Sequence, residues 1–214
     1  MHFFITVIGN VGAGKSTFAR FLAQKLPAHL VAADELYKTN PFFEDAVVDR
    51  SRWSLASDIW FLTRRVEMAL DLENILTKQT VVQDSGLLMS WVYANSRLVA
   101  KHMNERETEL YNELFDEFTK KTVRENLIIY LNLPIPLLRK RIEKRGRAFE
   151  VKYHSEAYLQ GLQQSLDKLV ERLKKQGIGV IEYQKQNWRD VVNSPSDRTL
   201  VRKEMKQYLK GHIL

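Results

Sequence analysis

Short apolar runs alternate along the chain with longer segments whose apolar residues recur every three or four positions. Residues 3–8 form a continuous β-rich run closed by Gly9, which predicts a first strand. Over 15–26, Phe18, Phe21, Leu22 and Leu26 share helical spacing, and the segment stops before Pro27. Residues 29–34 predict a second strand, ending at Asp34 and Glu35. The stretch KTNPFFED predicts a turn and a helix start, with Pro41 in a favoured early position. One long amphipathic helix is predicted over 52–78, with Leu55, Ile59, Leu62, Val66, Ala69 and Leu76 close to one stripe. A third strand follows at 80–84, then helices over 87–102 and 104–122, the second with Leu110, Leu114 and Phe118 four apart. Residues 126–133 are the most buried-looking strand, closed by Pro134. Helices over 136–144 and 155–175, a fifth strand over 177–183 and a last helix at about 196–210, capped near Ser196 or Asp197, complete the pattern.

Strands alternating with helices predict an α/β fold with a parallel five-stranded sheet covered on both faces. No repeat, low-complexity tract or long linker divides the chain, so residues 1–214 are expected to be one domain. Hydrophobic residues at 44% and charged residues at 28% are those of a soluble globular protein. No apolar run is long enough to span a bilayer, and the opening MHFFITVIG reads as a strand and not as a signal peptide. A cytoplasmic setting without membrane attachment is expected. The absence of cysteine excludes disulfides and thiolate metal sites, and the histidines lie at no ligand spacing. Any metal is expected to be Mg²⁺ arriving with a nucleotide. The net charge of +7 concentrates at 139–147 and in the tail, where it reads as solvated helix faces. No aromatic-and-basic alternation accompanies it, so nucleic acid is not the expected partner.

One stretch carries definite chemistry. Gly9-Asn10-Val11-Gly12-Ala13-Gly14-Lys15-Ser16 matches G-x-x-x-x-G-K-[ST] in full, between a predicted strand and a predicted helix. Glycines there let backbone N–H groups approach phosphates; Lys15 supplies charge to the outer phosphates and Ser16 a hydroxyl to Mg²⁺, with Thr17 next in the helix. The fold expectation becomes a three-layer P-loop NTPase fold that binds ATP. No Asn-Lys-x-Asp guanine motif is present, although the strand ending at Asp84 would also suit an ATPase. After Pro134, Arg141, Arg145 and Arg147 cluster around a helix end and Gly146, as an arginine-rich lid (about 141–153) over a transferred phosphoryl group requires.

With the phosphate loop, the segments ELYKTNPFFED, RWSLASDIWFLTRR, VVQDSG and RKRIEKRGRAFE resemble, in order and spacing, the deoxynucleoside kinases. The resemblance covers most of residues 1–175. It implies ATP-dependent phosphorylation of the 5′-hydroxyl of a nucleoside, a role in nucleotide salvage and a homodimer. Glu35, five residues before Asn40-Pro41, would be the general base, with Asp34 beside it the competing carboxylate. Lys15, Arg141 and Arg145 would act on the transferred phosphate, Arg147 on ATP, and Glu150 on the sugar. Trp53 would line the substrate pocket.

The departures matter as much. Where the family's third strand ends Asp/Glu-Arg-Ser, this chain has Asp84-Ser85-Gly86, and Ser85 cannot replace a guanidinium. An acid common further on corresponds to Ser90, and a sugar-contacting tyrosine to Val47. Five residues after Trp53 the family's glutamine becomes Asp58, which can only accept hydrogen bonds and so suits the adjacent N1 and N2 donors of guanine. Arg65, two helical turns on, could reach a carbonyl or restrain Asp58. Three readings stay open here: a nucleoside kinase, possibly for a guanine-like base; a kinase of another small hydroxyl compound; and an ATP-binding regulatory module with a decayed nucleoside site.

Overall fold

The computed structural model describes residues 2–33 and 35–211. Five parallel strands, β1 (Phe4–Gly9), β2 (His29–Ala32), β3 (Val81–Asp84), β4 (Leu127–Leu131) and β5 (Gly179–Tyr183), form one sheet in the order β2-β3-β1-β4-β5. β1, β3 and β4 are fully buried, as their unbroken apolar character dictates. The chain reverses direction across the sheet at β1, whose two neighbours are β3 and β4. In open α/β sheets, ligands bind beyond the carboxyl ends of the strands at such a switch point. The phosphate loop leaves β1 there.

Among the described residues ten α-helices accompany the sheet: α1 (Lys15–Lys25), α2 (Phe43–Val48), α3 (Arg50–Leu70), α4 (Leu72–Leu76), α5 (Leu87–Val99), α6 (Glu105–Thr119), α7 (Ile135–Arg145), α8 (Ala148–Tyr153), α9 (Glu156–Lys175) and α10 (Pro195–Gly211). α1 packs on β1, β2 and β3, while α3, α5, α6 and α9 pack together. Asp49 caps α3 by accepting from the Arg52 N–H, Ser155 caps α9, and Asn104 with Glu107 forms a full capping box at α6.

Four expectations are corrected. The single helix expected over 52–78 is two, divided at Asp71, and Leu72 beyond the break enters a small separate core with Phe4 and Val81. On α6 Leu110 is exposed; Tyr111 and Phe115 carry the buried stripe, which is rotated by one residue from the expected one. α10 starts before the expected cap: the Ser194 hydroxyl accepts the Asp197 N–H at 3.2 Å, and Pro195 takes the first helical position, where a missing N–H costs nothing. The 141–153 stretch holds a short helix, α8, that periodicity did not indicate. Among the described residues no helix is long and apolar enough to cross a membrane.

Candidate active site

Two glycines shape the turn from β1 into α1. Gly9 has φ 154°, and a Cβ there would lie 2.7 Å from the Leu131 carbonyl oxygen of β4. Gly14, at φ 94°, is the N-cap of α1. A side chain is excluded at the first and strained at the second. Between them Asn10 is fully buried and ties the loop to α9: its Nδ2 donates to the Leu159 carbonyl at 2.8 Å, and its Oδ1 accepts the Val11 N–H at 2.8 Å. Gly12 and Ala13 complete the turn, with the Ala13 N–H on the Asn10 carbonyl at 3.1 Å. Lys15, Ser16 and Thr17 then open α1, whose N-terminal N–H groups favour an anion. The Lys15 ammonium donates to the Asn10 carbonyl oxygen at 3.0 Å. Burial pulls its pKa down to about 8, and the Asp84 carboxylate partly offsets that pull.

A cavity of about 160 Å³ opens beside the loop, with Lys15 and Ser16 on one wall. Also in the lining, Tyr37, Phe43, Phe61 and Phe149 make a continuous aromatic surface; Phe43 lies 5.3 Å from Tyr37, 6.2 Å from Phe61 and 5.1 Å from Phe149 between ring centres. Phe149 of α8 thus reaches the aromatic wall from the segment expected as a lid.

Asp58 and Arg65 lie at the cavity and are both buried, about two and about four turns into α3 respectively. Asp58 Oδ2 accepts from Arg97 Nε of α5 at 3.1 Å, so Arg97, and not Arg65, restrains the carboxylate. Arg65 instead donates to the Ser90 hydroxyl at 3.0 Å and faces the rings of Phe61 and Tyr93. Its Nε has no hydrogen-bond partner among the described residues. A buried guanidinium supported by one hydroxyl and two π-faces keeps donor capacity for a ligand.

From the other side, Arg145 and Arg147 both pair with the buried Glu150, the latter at 3.2 Å. His154 stacks on Tyr158 with ring centres 4.5 Å apart; burial and nearby arginines pull its pKa down to about 3, so it is neutral. The cavity lining therefore holds the cations Lys15, Arg65, Arg97, Arg145 and Arg147 against two carboxylates, Asp58 and Glu150. Such a site attracts polyanions and offers an aromatic surface with a buried hydrogen-bonding pair in the same cavity.

Asp84 ends β3 buried near Lys15; one oxygen accepts from the Ser85 hydroxyl at 2.8 Å, and the other has no partner among the described residues. Of the residues expected to act in catalysis or hold the substrate, Asp84 and three others do not line the cavity. Trp53 stacks on Phe42 with Arg52 over its ring. Arg141 bonds the Ala13 carbonyl at 3.1 Å and covers the Trp188 indole, apart from Arg145 and Arg147. Glu35 is exposed; its ion pair with Lys38 at 2.7 Å holds its carboxyl below the usual range. Asp34 lies outside the described residues. Sequence reasoning missed Arg97, although a lone cation near the end of the largely apolar α5 was a readable signal. It also missed the aromatic wall, whose members come from three separate elements and a turn.

The deoxynucleoside kinase family model matches residues 5–210. A deoxyguanosine kinase of Bacillus subtilis (strain 168) is 30% identical over 174 residues, covering 80% of each chain. A mouse relative, NADH dehydrogenase [ubiquinone] 1 alpha subcomplex subunit 10, is 26% identical over 186 residues, which is 77% of this chain and 52% of the relative. Among solved structures, a deoxyadenosine kinase from M. mycoides with bound dCTP superposes with a TM-score of 0.78 at 20% identity, covering 95% of this chain and 99% of that one. A phosphate loop at the switch point of a five-stranded parallel sheet, a family match spanning nearly all of it, and this relative lead to one conclusion: the chain belongs to the deoxynucleoside kinase family.

Proposed function

We propose that this kinase transfers the γ-phosphate of ATP to the 5′-hydroxyl of a deoxynucleoside, with guanine the preferred base. The observation that carries the reading is one cavity that joins Lys15 of the phosphate loop to the buried Asp58–Arg97 pair. Phosphate chemistry and base recognition then share a single site.

The acceptor base lies against the aromatic wall. Asp58 accepts from the N1–H and N2–H donors of guanine, and Arg65 turns its spare donors to the base carbonyl. The similarity to a deoxyguanosine kinase of Bacillus subtilis supports this choice. Glu35 leaves Lys38 and takes the proton of the 5′-hydroxyl as that oxygen attacks the γ-phosphorus. The bond from the γ-phosphorus to the β,γ-bridging oxygen breaks, and ADP leaves with the electron pair. Lys15, Arg145 and Arg147 face the charge that spreads over the transferred group. For the arginines this requires partial release of Glu150, which then meets the sugar. Arg141, bonded to the Ala13 carbonyl of the loop, lies near the bound nucleotide. Ser16 and the unpartnered oxygen of Asp84 suit Mg²⁺ shared with the nucleotide, since Mg²⁺ takes few protein ligands beside phosphate oxygens. The metal supplies charge neutralisation there.

The homodimer implied by the resemblance, and the cytoplasmic setting and single-domain organisation expected from the sequence, go with this reading, as does the lid. The competing reading, a nucleotide-binding module without acceptor chemistry, rests on Ser85 in place of arginine and on the exposed position of Glu35. Phosphorylation of a nucleoside by the unaltered protein separates the two, and Glu35→Gln then tests the assigned base. We expect transfer to fall by at least two orders of magnitude with ATP binding nearly unchanged; unaltered turnover removes Glu35 as the base.

A further inference from the structure

A chain of side-chain hydrogen bonds runs from the phosphate loop through α9 to the carboxyl ends of β4 and β5. It starts at Asn10, which is fully buried. Asn10 Nδ2 donates to the Leu159 carbonyl at 2.8 Å and to Gln163 Oε1 at 3.3 Å, while Oδ1 accepts the Val11 N–H. Leu159 and Gln163 stand about one helical turn apart, so a single turn of α9 grips the loop. The Asn10 carbonyl in turn holds the Lys15 ammonium.

Gln163 is the node of that chain. Its Nε2 donates to the Tyr130 hydroxyl, to Asn132 Oδ1 at 3.1 Å and to Asp167 Oδ1 at 3.3 Å. Asn132 Nδ2 continues to Glu182 Oε1 of β5 at 2.8 Å. The Tyr130 hydroxyl donates to Asp167 Oδ1 at 2.8 Å, and burial pushes its pKa up, so it stays protonated. These partners fix which way the Gln163 amide points. Turned over, Nε2 would meet Asn10 Nδ2, donor against donor, and Oε1 would meet the Asn132 and Asp167 oxygens. Asp167 is exposed, so water can stand in on that side. Asn10 has no such recourse. Without Gln163, its Nδ2 keeps only the Leu159 carbonyl among the described residues. One buried donor proton is then unpaired unless the side chain turns and releases Val11 or Leu159.

We propose that Gln163 is a positioning residue for the phosphate loop: acting through Asn10, it fixes the loop in the shape that binds the polyphosphate of ATP. Gln163 does not line the cavity beside the loop, so its effect on the nucleotide passes through Asn10. The loop motif does not supply this role, because the contact spans 153 residues. The proposal rests on ATP binding at Lys15 and is independent of the acceptor.

The test measures MgATP affinity of the full chain by titration calorimetry, with Tm recorded for each protein. The unaltered protein comes first; absence of binding there would remove the proposal together with the ATP reading. Gln163→Met keeps the volume and removes the bonds, and its affinity is expected to fall about tenfold. In Gln163→Glu the protonated acid keeps one acceptor and one donor, as the amide does, whereas the carboxylate has no donor. That carboxylate would face Asp167 of α9, Tyr130 and Asn132 at the end of β4 and Asn10 of the loop, with Glu182 of β5 beyond. The Asp167 charge raises its pKa, so binding is lost as pH rises. Relative to the unaltered protein, in which the titrations of Lys15 and ATP cancel, affinity is expected to be near normal at about pH 5.5 and about tenfold weaker at about pH 8. Asn10→Ala is expected to weaken binding as well, and adding Gln163→Met to it to cost nothing more. A lower Tm with unchanged affinity in Gln163→Met would make the residue structural only and overturn the proposal. A Gln163→Glu loss that does not vary with pH, or losses that multiply in the double variant, would overturn it too. If Gln163→Met does not fold, the pH profile of Gln163→Glu decides alone.

Discussion

At the scale of single residues, the site is governed by which charges are buried and what each one faces. Lys15 titrates at about 8 in the free protein because burial disfavours its ammonium form. A nucleotide polyphosphate restores the charged form, so binding at pH 8 draws a proton from solvent. We expect uptake of about half a proton per ATP bound at pH 8. The uptake is to be read by titration calorimetry in buffers of different ionisation enthalpy. Lys15→Arg, charged at every accessible pH, should show none; equal uptake in the two proteins would place the titration elsewhere. Asp58 presents the converse case. It is 3% exposed and its one ionic partner among the described residues is Arg97. Removing that partner by Arg97→Ala leaves a carboxylate buried and unpaired, a loss of roughly 3–5 kcal/mol. Urea unfolding should show that loss, and adding Asp58→Asn should recover most of it. A loss near zero in Arg97→Ala would mean that the pair is not desolvated in solution.

At the scale of elements, strands and most helices were legible because their periods are simple. The apolar runs of β1, β3 and β4 admit little but buried parallel strands, and their bounds fall within one or two residues of expectation. The break in the long helix at Asp71 was not legible. Apolar spacing continues across it, and only the docking of Leu72 against Phe4 and Val81 reveals a second element. α8 escaped for a different reason: six residues are too few to show a helical period. The phosphate loop was readable because its sequence states its own geometry. Gly9 shows how tightly that geometry is bound to the sheet, with the Leu131 carbonyl where a Cβ would have to sit. Gly9→Ala should therefore destabilise the fold by a few kcal/mol and abolish ATP binding together. Thermal unfolding and nucleotide titration of the same sample check both; a stable variant that still binds ATP would contradict the close approach.

At the scale of the molecule, the fold brings to one cavity residues that the sequence holds far apart. Asp58 and Arg65 come from α3, Arg97 from α5, and Arg145 to Tyr158 from three consecutive C-terminal segments. The candidate site was legible where one motif carries the chemistry, as from Gly9 to Thr17, and where helical spacing linked Asp58 to Arg65. It was not legible where pairing is long-range. Nothing local says that Asp58 will meet Arg97, 39 residues away, or that Glu150 will hold two arginines. The exposed Glu35, paired with Lys38, likewise follows from the conformation of a turn and from no spacing rule. The most direct test of the whole reading is transfer of labelled γ-phosphate from Mg-ATP to the four deoxynucleosides in parallel, with a no-acceptor control. Label appearing first and fastest on deoxyguanosine is the predicted result. ATP binding without label on any nucleoside would contradict it, and would leave this chain a nucleotide-binding member of a kinase family without nucleoside chemistry.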